Sequence, residues 1–300
     1  MMTDGKRTAG AGRIARCALK ALLYEVSVTP KPGLVDRADC GAHRDMDFFT
    51  FLDSAAVLTP YFETCAAAGI KAAEEGAGCG GLLAKLRGPG QEAEKEMLRA
   101  TGGVNTHKGA IFLLGLLAAA AGYCREEASG TCAGWKEEQT ARILRTAGGI
   151  AAPALQDFAA AAGAVKPETA GLKQYRENGC TGVRGEAAKG FPSLRDVGLP
   201  RLKKERRAGA SFNDAGVAAL LDLILEVEDT TLLKRCGSRE TREAERTLLR
   251  KLLQEMTPVQ AAAELNERWI RKGFSAGGCA DLLGAACFLL FLEEERDGQP

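Results

Sequence analysis

Apolar residues recur at helical spacing along most of this chain. Between Arg13 and Val26 they fall at every third or fourth position, which is the period of one helix face. The same pattern predicts further helices over residues 48–75, 92–99, 110–123, 136–147, 211–226, 239–255, 258–271 and 281–295. The alternation typical of β-strands is nearly absent, and Ala and Leu dominate over Val, Ile and Thr. The pattern predicts an all-α fold, a single compact multi-helix domain whose Gly-rich loops form the active site.

Little in the sequence divides the chain into parts. Residues 1–12 are polar and Gly-rich, so they are predicted to form a flexible N-terminal tail. Residues 13–296 contain no internal repeat and no recognisable domain boundary. The hydrophobic content of 46% over 300 residues suffices for one large core or two small ones. We interpret residues 13–296 as a single all-helical catalytic domain.

Charge and cysteine usage exclude several classes of protein. Forty basic residues nearly balance 39 acidic ones, and the basic runs interleaved with aromatics that mark nucleic-acid binders are missing. The 10 cysteines are scattered without a CxxC pair, which is typical of reduced thiols in the cytoplasm. The longest apolar run, Ala110–Gly122, is shorter than the roughly 20 residues that span a membrane. We therefore expect a cytoplasmic protein that binds neither nucleic acid nor membrane.

A Gly-rich turn, Thr101–Gly109, leads directly into the apolar helix predicted over 110–123. Glycines let the backbone approach a ligand closely, and a capped helix N-terminus with a nearby lysine favours anions, most plausibly phosphates. An ordinary capped core helix with a surface lysine explains the segment in isolation about as well. The candidate phosphate ligands are Gly102, Gly103, Asn105, Thr106 and Lys108.

Carboxylates crowd an earlier segment between residues 25 and 47. Hard divalent ions such as Mg²⁺ accept carboxylate oxygens, particularly when substrate phosphates complete the shell. Taken alone, the last two carboxylates are better explained as caps of the helix that follows them. The acidic residues and the histidine of this segment are Glu25, Asp36, Asp39, His43, Asp45 and Asp47.

Three later clusters add polar residues. Arg184 and Glu186 occur in a polar Gly-rich loop predicted over 171–190, where a solvated surface pair is the default interpretation. Asp229 follows an apolar helix, as a residue in an ordinary helix-end loop would. Asp281 follows two glycines at the start of the last helix, and a helix cap is favoured over a ligand there.

The ordered set of motifs carries a resemblance. The segments from Glu25 to Asp36, from His43 to Asp47 and from Thr101 to Gly109 resemble the hallmark blocks of the triphosphoribosyl-dephospho-coenzyme A synthase family. Four later segments fit the same order, and the set spans residues 25–283. Thr231, Cys236 and Cys279 depart from the family pattern at loop positions. The later segments are Arg184–Ala187, Gly190–Pro192, Asp229–Gly237 and Gly278–Leu283.

This resemblance implies a transferase that joins ATP to 3′-dephospho-coenzyme A through a ribose-to-ribose bond. Adenine is released and the triphosphate stays in the product, which is a prosthetic-group precursor for citrate lyase or malonate decarboxylase. The implied partners are these two small substrates and a downstream transferase that loads an acyl carrier protein. Mg²⁺ is expected to accompany ATP, and a homodimer is a further expectation.

The chemistry suggests roles for the polar residues. The attacking hydroxyl must lose a proton, which suits a carboxylate or a histidine, and positive charge on the ribosyl ring suits nearby carboxylates. The catalytic candidates are Glu25, Asp36, His43, His107 and Glu186. The candidates for binding ATP and its phosphates are Lys31, Gly102, Gly103, Asn105, Thr106, Lys108, Arg184 and Arg235. The candidate metal ligands are Asp45, Asp47, Asp229 and Asp281.

Two other functions compete with this one. A metal-dependent nucleotide phosphohydrolase on a helical scaffold would also use carboxylates, but the two histidines of the chain are few for a dinuclear site. A non-catalytic nucleotide-binding helical protein leaves the crowded carboxylates unexplained.

Overall fold

The computed structural model describes residues 4–125, 137–155 and 179–295. Within these ranges the chain forms 12 α-helices and no β-strand, which confirms the all-α prediction. The helices are α1 (Asp4–Ser27), α2 (Phe48–Glu74), α3 (Leu82–Ala100), α4 (Lys108–Tyr123), α5 (Glu137–Ala151), α6 (Gly182–Ala188), α7 (Leu199–Arg207), α8 (Phe212–Glu226), α9 (Thr230–Cys236), α10 (Arg239–Glu255), α11 (Pro258–Lys272) and α12 (Gly277–Glu294).

Two helices, α4 and α12, form the centre of the core. Both are predominantly apolar, as helices enclosed by others must be, and 12 of the 16 residues of α4 and 12 of the 18 residues of α12 are buried. Helix α2 crosses α4 closely at two glycines. A Cβ on Gly69 would lie 1.9 Å from the carbonyl oxygen of Ala119, and one on Gly122 would lie 2.2 Å from that of Ala66. The crossing therefore requires glycine at both positions.

The first helix begins earlier than the sequence pattern predicts. Residues 4–12 were expected to be a flexible tail, but they form the first turns of α1. Ala11 is buried, and Arg7 forms an ion pair of 2.6 Å with Glu74 at the end of α2. Packing against α2 therefore outweighs the low helix propensity of the glycines.

Two further elements differ from prediction. Helix α3 starts at Leu82 rather than at residue 92 and runs through Pro89, with one face buried by Leu83, Leu86 and Met97. The second half of the predicted loop over 171–190 contains α6. Residues 171–178 of that loop lie outside the described residues. Glycines in both segments, together with Pro89 in α3, interrupt the helical pattern of apolar residues.

A long loop, residues 28–47, separates α1 from α2 and lies beside the N-terminal ends of α4 and α12. Asn213 on α8 accepts a hydrogen bond from the Thr29 N–H (2.9 Å) and donates to the Thr29 carbonyl (2.7 Å). Asn266 on α11 accepts from the Gly33 N–H (2.8 Å) and donates to Asp39 (2.9 Å). These two side-chain amides anchor the loop at Thr29, Gly33 and Asp39. None of the described helices is long and apolar enough to cross a membrane.

Candidate active site

A cavity of about 340 Å³ opens where the N-terminal ends of α4 and α12 meet the last turn of α1. The loop over residues 28–47 and the first turn of α9 complete its wall. Segments separated by up to about 250 positions therefore meet in one place. The polar side chains of its lining are Glu25, Lys31, His43, Asn105, Thr106, His107, Lys108, Thr230, Thr231, Ser275 and Asp281.

A buried ion pair forms part of this wall. The Lys31 ammonium donates a hydrogen bond to the Glu25 carboxylate, and only 1% of Lys31 and 4% of Glu25 are exposed. Burial raises the pKa of Glu25, and the nearby Lys31 opposes that rise. Lys31 was predicted to bind phosphate, but in the structure its charge is compensated by Glu25.

Asp36 organises the loop and does not line the cavity. Its carboxylate accepts hydrogen bonds from the Thr29 hydroxyl (2.8 Å) and from the backbone N–H groups of Lys31 (2.9 Å), Ala38 (2.7 Å) and Asp39 (3.2 Å). A carboxylate with four internal donors has little capacity left for substrate. The structure thus gives the predicted catalytic Asp36 a role in shaping the loop.

His107 is buried in the cavity wall with a specific partner on only one side of its ring. Its Nδ1 lies 2.6 Å from the Ser54 hydroxyl oxygen, while its buried Nε2 has no partner among the described residues. The Phe51 ring packs edge-on against the imidazole at 4.9 Å. Burial and the positive charge of Lys31 lower the pKa of His107 to about 3, so the imidazole is neutral. Ser54 lies in the second turn of α2, and no sequence signal points to this contact.

His43 also lines the cavity and is held there by Arg235 and Ser275. An Arg235 N–H group lies 3.4 Å from His43 Nδ1, and Nε2 lies 3.1 Å from the Ser275 hydroxyl oxygen. Partial burial and Arg235 lower the pKa of His43, whereas Asp45 raises it. Arg235 also donates to the carbonyl of Gly273 (2.9 Å) and does not line the cavity. The predicted phosphate ligand Arg235 therefore acts on the site through His43.

Asp281 lies inside α12 and faces the first turn of α4. The helix begins at Gly277, so the favoured interpretation of Asp281 as a helix cap is wrong. Burial and the negative charges of Glu25 and Asp229 raise the pKa of Asp281 well above the ordinary range, and a hydrogen bond accepted from the Ala110 N–H opposes that rise. A Cβ on Gly109 would lie 1.9 Å from Asp281 Oδ2. Gly109 is therefore needed to seat this carboxylate at the positive end of α4.

The Gly-rich turn before α4 contributes only its second half to the cavity. Gly102 and Gly103 have φ values of 65° and 93°, and the Gly103 N–H donates to the Leu98 carbonyl (2.7 Å). This is a helix C-terminal cap, and neither glycine lines the cavity. Asn105 accepts a hydrogen bond from the Lys108 N–H (3.3 Å) at the cavity wall. The two glycines predicted to bind phosphate therefore end α3.

Lys108 lies at the mouth of the cavity. Its side chain is 53% exposed and forms an ion pair of 2.7 Å with Glu94 on α3. Thr106 lies deeper, and its hydroxyl donates to the Ser54 hydroxyl oxygen (2.7 Å). Lys108, which was predicted to bind phosphate, can therefore contact a ligand at the mouth of the cavity, which we call its rim, but not one deep inside it.

The four predicted metal ligands are not gathered. Asp45 is exposed, and Asp47 caps α2 by accepting from the Thr50 N–H (2.8 Å). Asp229 is buried and caps α9, and it also accepts from the Cys279 N–H (2.9 Å). Across the described ranges, no three His, Cys, Asp or Glu side chains lie where they could hold a metal ion. The competing interpretation as a helix cap is correct for Asp47 but not for Asp45, and Asp229, for which an ordinary helix-end loop was the alternative, caps the helix that follows it.

Arg184 and Glu186 point to neighbouring cavities. Glu186 lines a cavity of about 260 Å³ that shares Val183 and Thr230 with the first one. Its carboxylate accepts from the N–H (2.7 Å) and the hydroxyl (3.1 Å) of Ser193, and burial raises its pKa. Arg184 lines a third cavity of about 190 Å³ on another side of α4. Neither residue lines the first cavity.

Comparison with known proteins identifies the family of this chain. The profile of the family described as ATP:dephospho-CoA triphosphoribosyl transferase matches residues 11–299. The chain belongs to this family. A Streptococcus equi subsp. zooepidemicus protein named "Probable 2-(5''-triphosphoribosyl)-3'-dephosphocoenzyme-A synthase" is 38% identical over 288 residues, which cover 94% of this chain and 97% of that protein. Relatives with the same printed name from Lactiplantibacillus plantarum and Vibrio cholerae are also 38% identical, over 92% and 96% of this chain and 95% and 91% of their own. No solved structure matches the chain.

Membership in the triphosphoribosyl transferase family confirms the resemblance found in the sequence and makes the chain a transferase. A transferase of this family must admit two substrates, ATP and dephospho-CoA, to one reaction centre. The first two cavities adjoin each other, because Val183, Thr230 and Gly278 belong to the walls of both.

Proposed function

We propose that this protein transfers the triphosphoribosyl group of ATP to a ribose hydroxyl of 3′-dephospho-coenzyme A in the 340 Å³ cavity, with release of adenine. The observation that carries this proposal is the convergence of the ordered motifs. Glu25, His43, His107 and Asp281 come from four separate segments and line the same cavity. Family membership supports the same reaction over the hydrolysis of a phosphate bond.

The charges of the cavity suggest how ATP lies in it. The carboxylates of Glu25 and Asp281 lie in the inner part of the cavity, which we call its floor. Lys31 compensates the negative charge of Glu25 but not that of Asp281. The triphosphate is strongly anionic, so we place it at the rim beside Lys108 and Asn105. The ribose and adenine then reach the floor, where carboxylates stabilise positive charge that develops on the sugar ring.

Mg²⁺ belongs to the substrate in this proposal. Mg²⁺ keeps several waters and is commonly bound by substrate phosphates with one or two protein carboxylates. The described residues build no cage of three ligands, which suits an ion that arrives with the ATP phosphates. Its role is to neutralise the triphosphate at the rim.

We assign the general base to Asp281. It is half-buried in the cavity wall, and the charged groups that act on it are both negative. A carboxylate whose pKa is raised takes a proton more readily from an attacking hydroxyl group near neutral pH. Glu25 is less suited because its carboxylate is bound to Lys31.

Product analysis tests the proposed function. The protein is incubated with ATP, 3′-dephospho-coenzyme A and Mg²⁺, and the products are separated by chromatography and weighed by mass spectrometry. Free adenine together with a conjugate that keeps all three phosphates is expected, and only when both substrates are present. Phosphate release without adenine would instead indicate the phosphohydrolase, and ATP binding without any product would indicate the non-catalytic protein.

A pair of variants tests the place of the reaction. Asp281→Asn is expected to lower adenine release strongly, because it removes the base without changing the shape of the side chain. Asp45→Asn is the matched control, since Asp45 is exposed and does not line the cavity. Equal activity of the two variants would refute the assignment of Asp281.

The proposal extends to the cellular setting. The conjugate would serve citrate lyase or malonate decarboxylase through a downstream transferase that loads an acyl carrier protein in the cytoplasm. Complementation of strains that lack the corresponding synthase of either pathway would separate the two. Light scattering of the purified protein tests the expected homodimer.

A further inference from the structure

The surroundings of His107 fix which of its nitrogens carries the proton. The Thr106 hydroxyl donates to the Ser54 hydroxyl oxygen at 2.7 Å, and that oxygen lies 2.6 Å from His107 Nδ1. The Ser54 hydroxyl is fully buried, and Nδ1 is the only acceptor within its reach among the described residues, so its own proton is directed to Nδ1. A neutral imidazole that accepts at Nδ1 carries its proton at Nε2.

The same surroundings prevent the ring from turning or becoming charged. Phe51 packs edge-on against it with the ring planes at 82°, and only 3% of His107 is exposed. Burial and the positive charge of Lys31 disfavour an imidazolium and lower the pKa of His107. Buried N–H groups are normally hydrogen-bonded, yet the Nε2 atom has no partner among the described residues. Because His107 belongs to the lining of the cavity, this unpaired donor is suited to a ligand.

We propose that Ser54 and Thr106 hold His107 as a neutral imidazole whose Nε2–H donates a hydrogen bond to an uncharged acceptor of the bound nucleotide, a ring nitrogen or a ribose oxygen. The identity of the nucleotide rests on the proposed function. An uncharged acceptor is favoured over a phosphate because Glu25 and Asp281 line the same floor. Ser54 is a positioning residue, since it acts on the substrate only through the imidazole.

Nitrogen-15 NMR of the histidine rings tests this state directly. The chain contains 2 histidines, so the spectrum has two ring systems, and a His43→Asn variant assigns them. His107 is expected to show a protonated Nε2 and an unprotonated Nδ1 from pH 5.5 to 8.5. ATP and adenosine are expected to shift the Nε2 signal, and tripolyphosphate alone is not.

Three results would overturn the proposal. These are a proton on Nδ1, a ring that titrates in this pH range, and an Nε2 signal that moves with tripolyphosphate or fails to move with ATP. Because the tautomer is read without turnover, these results are independent of whether the protein releases adenine. A protein with the expected tautomer but no transfer product would refute the proposed function alone.

Kinetics separates positioning from a purely structural role. Ser54→Ala and Thr106→Val are expected to lower kcat about tenfold or more, which is the effect of losing one oriented hydrogen bond, and to redistribute the proton between the two nitrogens. Thr106→Ser keeps the hydroxyl and is expected to restore both readouts. Thr64→Ala on α2 is the control, because its exposed hydroxyl bonds only to the carbonyl of Pro60 (2.8 Å). Loss of stability without a change in tautomer or kcat would overturn the positioning role.

Discussion

Replacing Lys31 with methionine tests the buried ion pair at the floor of the cavity. Methionine keeps the length of the side chain but removes the charge that compensates Glu25. Both partners are almost fully buried, with exposed fractions of 1% and 4%. Removing one partner of such a pair typically destabilises a protein by about 3–5 kcal/mol.

Protonation of Glu25 sets an independent upper limit on this loss of stability. Without Lys31, Glu25 can take up a proton instead of remaining a buried anion. Neutralising a carboxyl group with the ordinary pKa of 4.5 at pH 7 costs about 3.4 kcal/mol, at about 1.36 kcal/mol per pH unit. The two estimates agree, and they predict that the melting temperature falls by roughly 6–15 °C.

The same reasoning predicts how the loss depends on pH. In the variant, the folded-state pKa of Glu25 is raised above its unfolded value. The stability of the folded state is therefore retained below pH 4.5 and lost as the pH rises towards the folded pKa. At pH 5 the limit falls to about 0.7 kcal/mol. The destabilisation caused by Lys31→Met should therefore largely disappear between pH 7 and pH 5.

Urea unfolding at both pH values, followed by circular dichroism, measures these quantities. The double variant Glu25→Gln/Lys31→Met should recover most of the loss at pH 7, because it leaves no ionisable group behind. Lys95→Met is the control, since the pair of Lys95 with Glu92 is exposed, and it should leave stability unchanged. A loss below about 1 kcal/mol at pH 7, or a loss of equal size at pH 5, would refute the buried pair.

Three further predictions concern single side chains of the site. Asp47→Ala should lower the melting temperature by about 2–4 °C through loss of the α2 cap and leave adenine release unchanged; an inactive but folded variant would instead support a metal-ligand role. Gly109→Ala should lower kcat/KM at least about tenfold because the new Cβ would lie 1.9 Å from Asp281 Oδ2, and full activity would contradict that contact. Arg235→Met should raise the pKa of His43, which burial and Arg235 now lower; an unchanged NMR titration would argue against their hydrogen bond.

Helical periodicity predicted most of this fold because the relevant signal is local. Helices α10 and α11 have polar and apolar faces, and their predicted and observed ranges agree within about one residue. The predicted helix ranges are wrong where contacts with other helices determine whether a segment is helical. The start of α1 is stabilised by its contacts with α2, and the Gly-rich turn that precedes α6 gives no periodic signal.

The site was predicted in part, and the reason lies in what each carboxylate contacts. Glu25 and Asp281 face the cavity, whereas Asp36 and Asp229 accept backbone hydrogen bonds. Both kinds of residue look alike in a sequence, because a loop or cap carboxylate and a functional carboxylate occur in the same polar context. Ser54 could not be predicted, since its contact with a histidine 53 positions away exists only after α2 and α4 have packed.

The distribution of charge favours chemistry at the sugar over chemistry at the phosphates. An enzyme that hydrolyses phosphate bonds concentrates cations or metal ions where the transferred phosphoryl group lies. In this cavity the carboxylate of Asp281 lies inside, at the positive end of α4, and the cation Lys108 lies at the exposed rim. This arrangement is the reverse of the one that phosphate hydrolysis requires. A nucleotide whose phosphates remain at the rim presents its ribose to the carboxylates, and the bond exposed to them is the one between ribose and adenine. Exchanging these charges, with Asp281→Lys and Lys108→Glu together, should therefore abolish adenine release rather than redirect it.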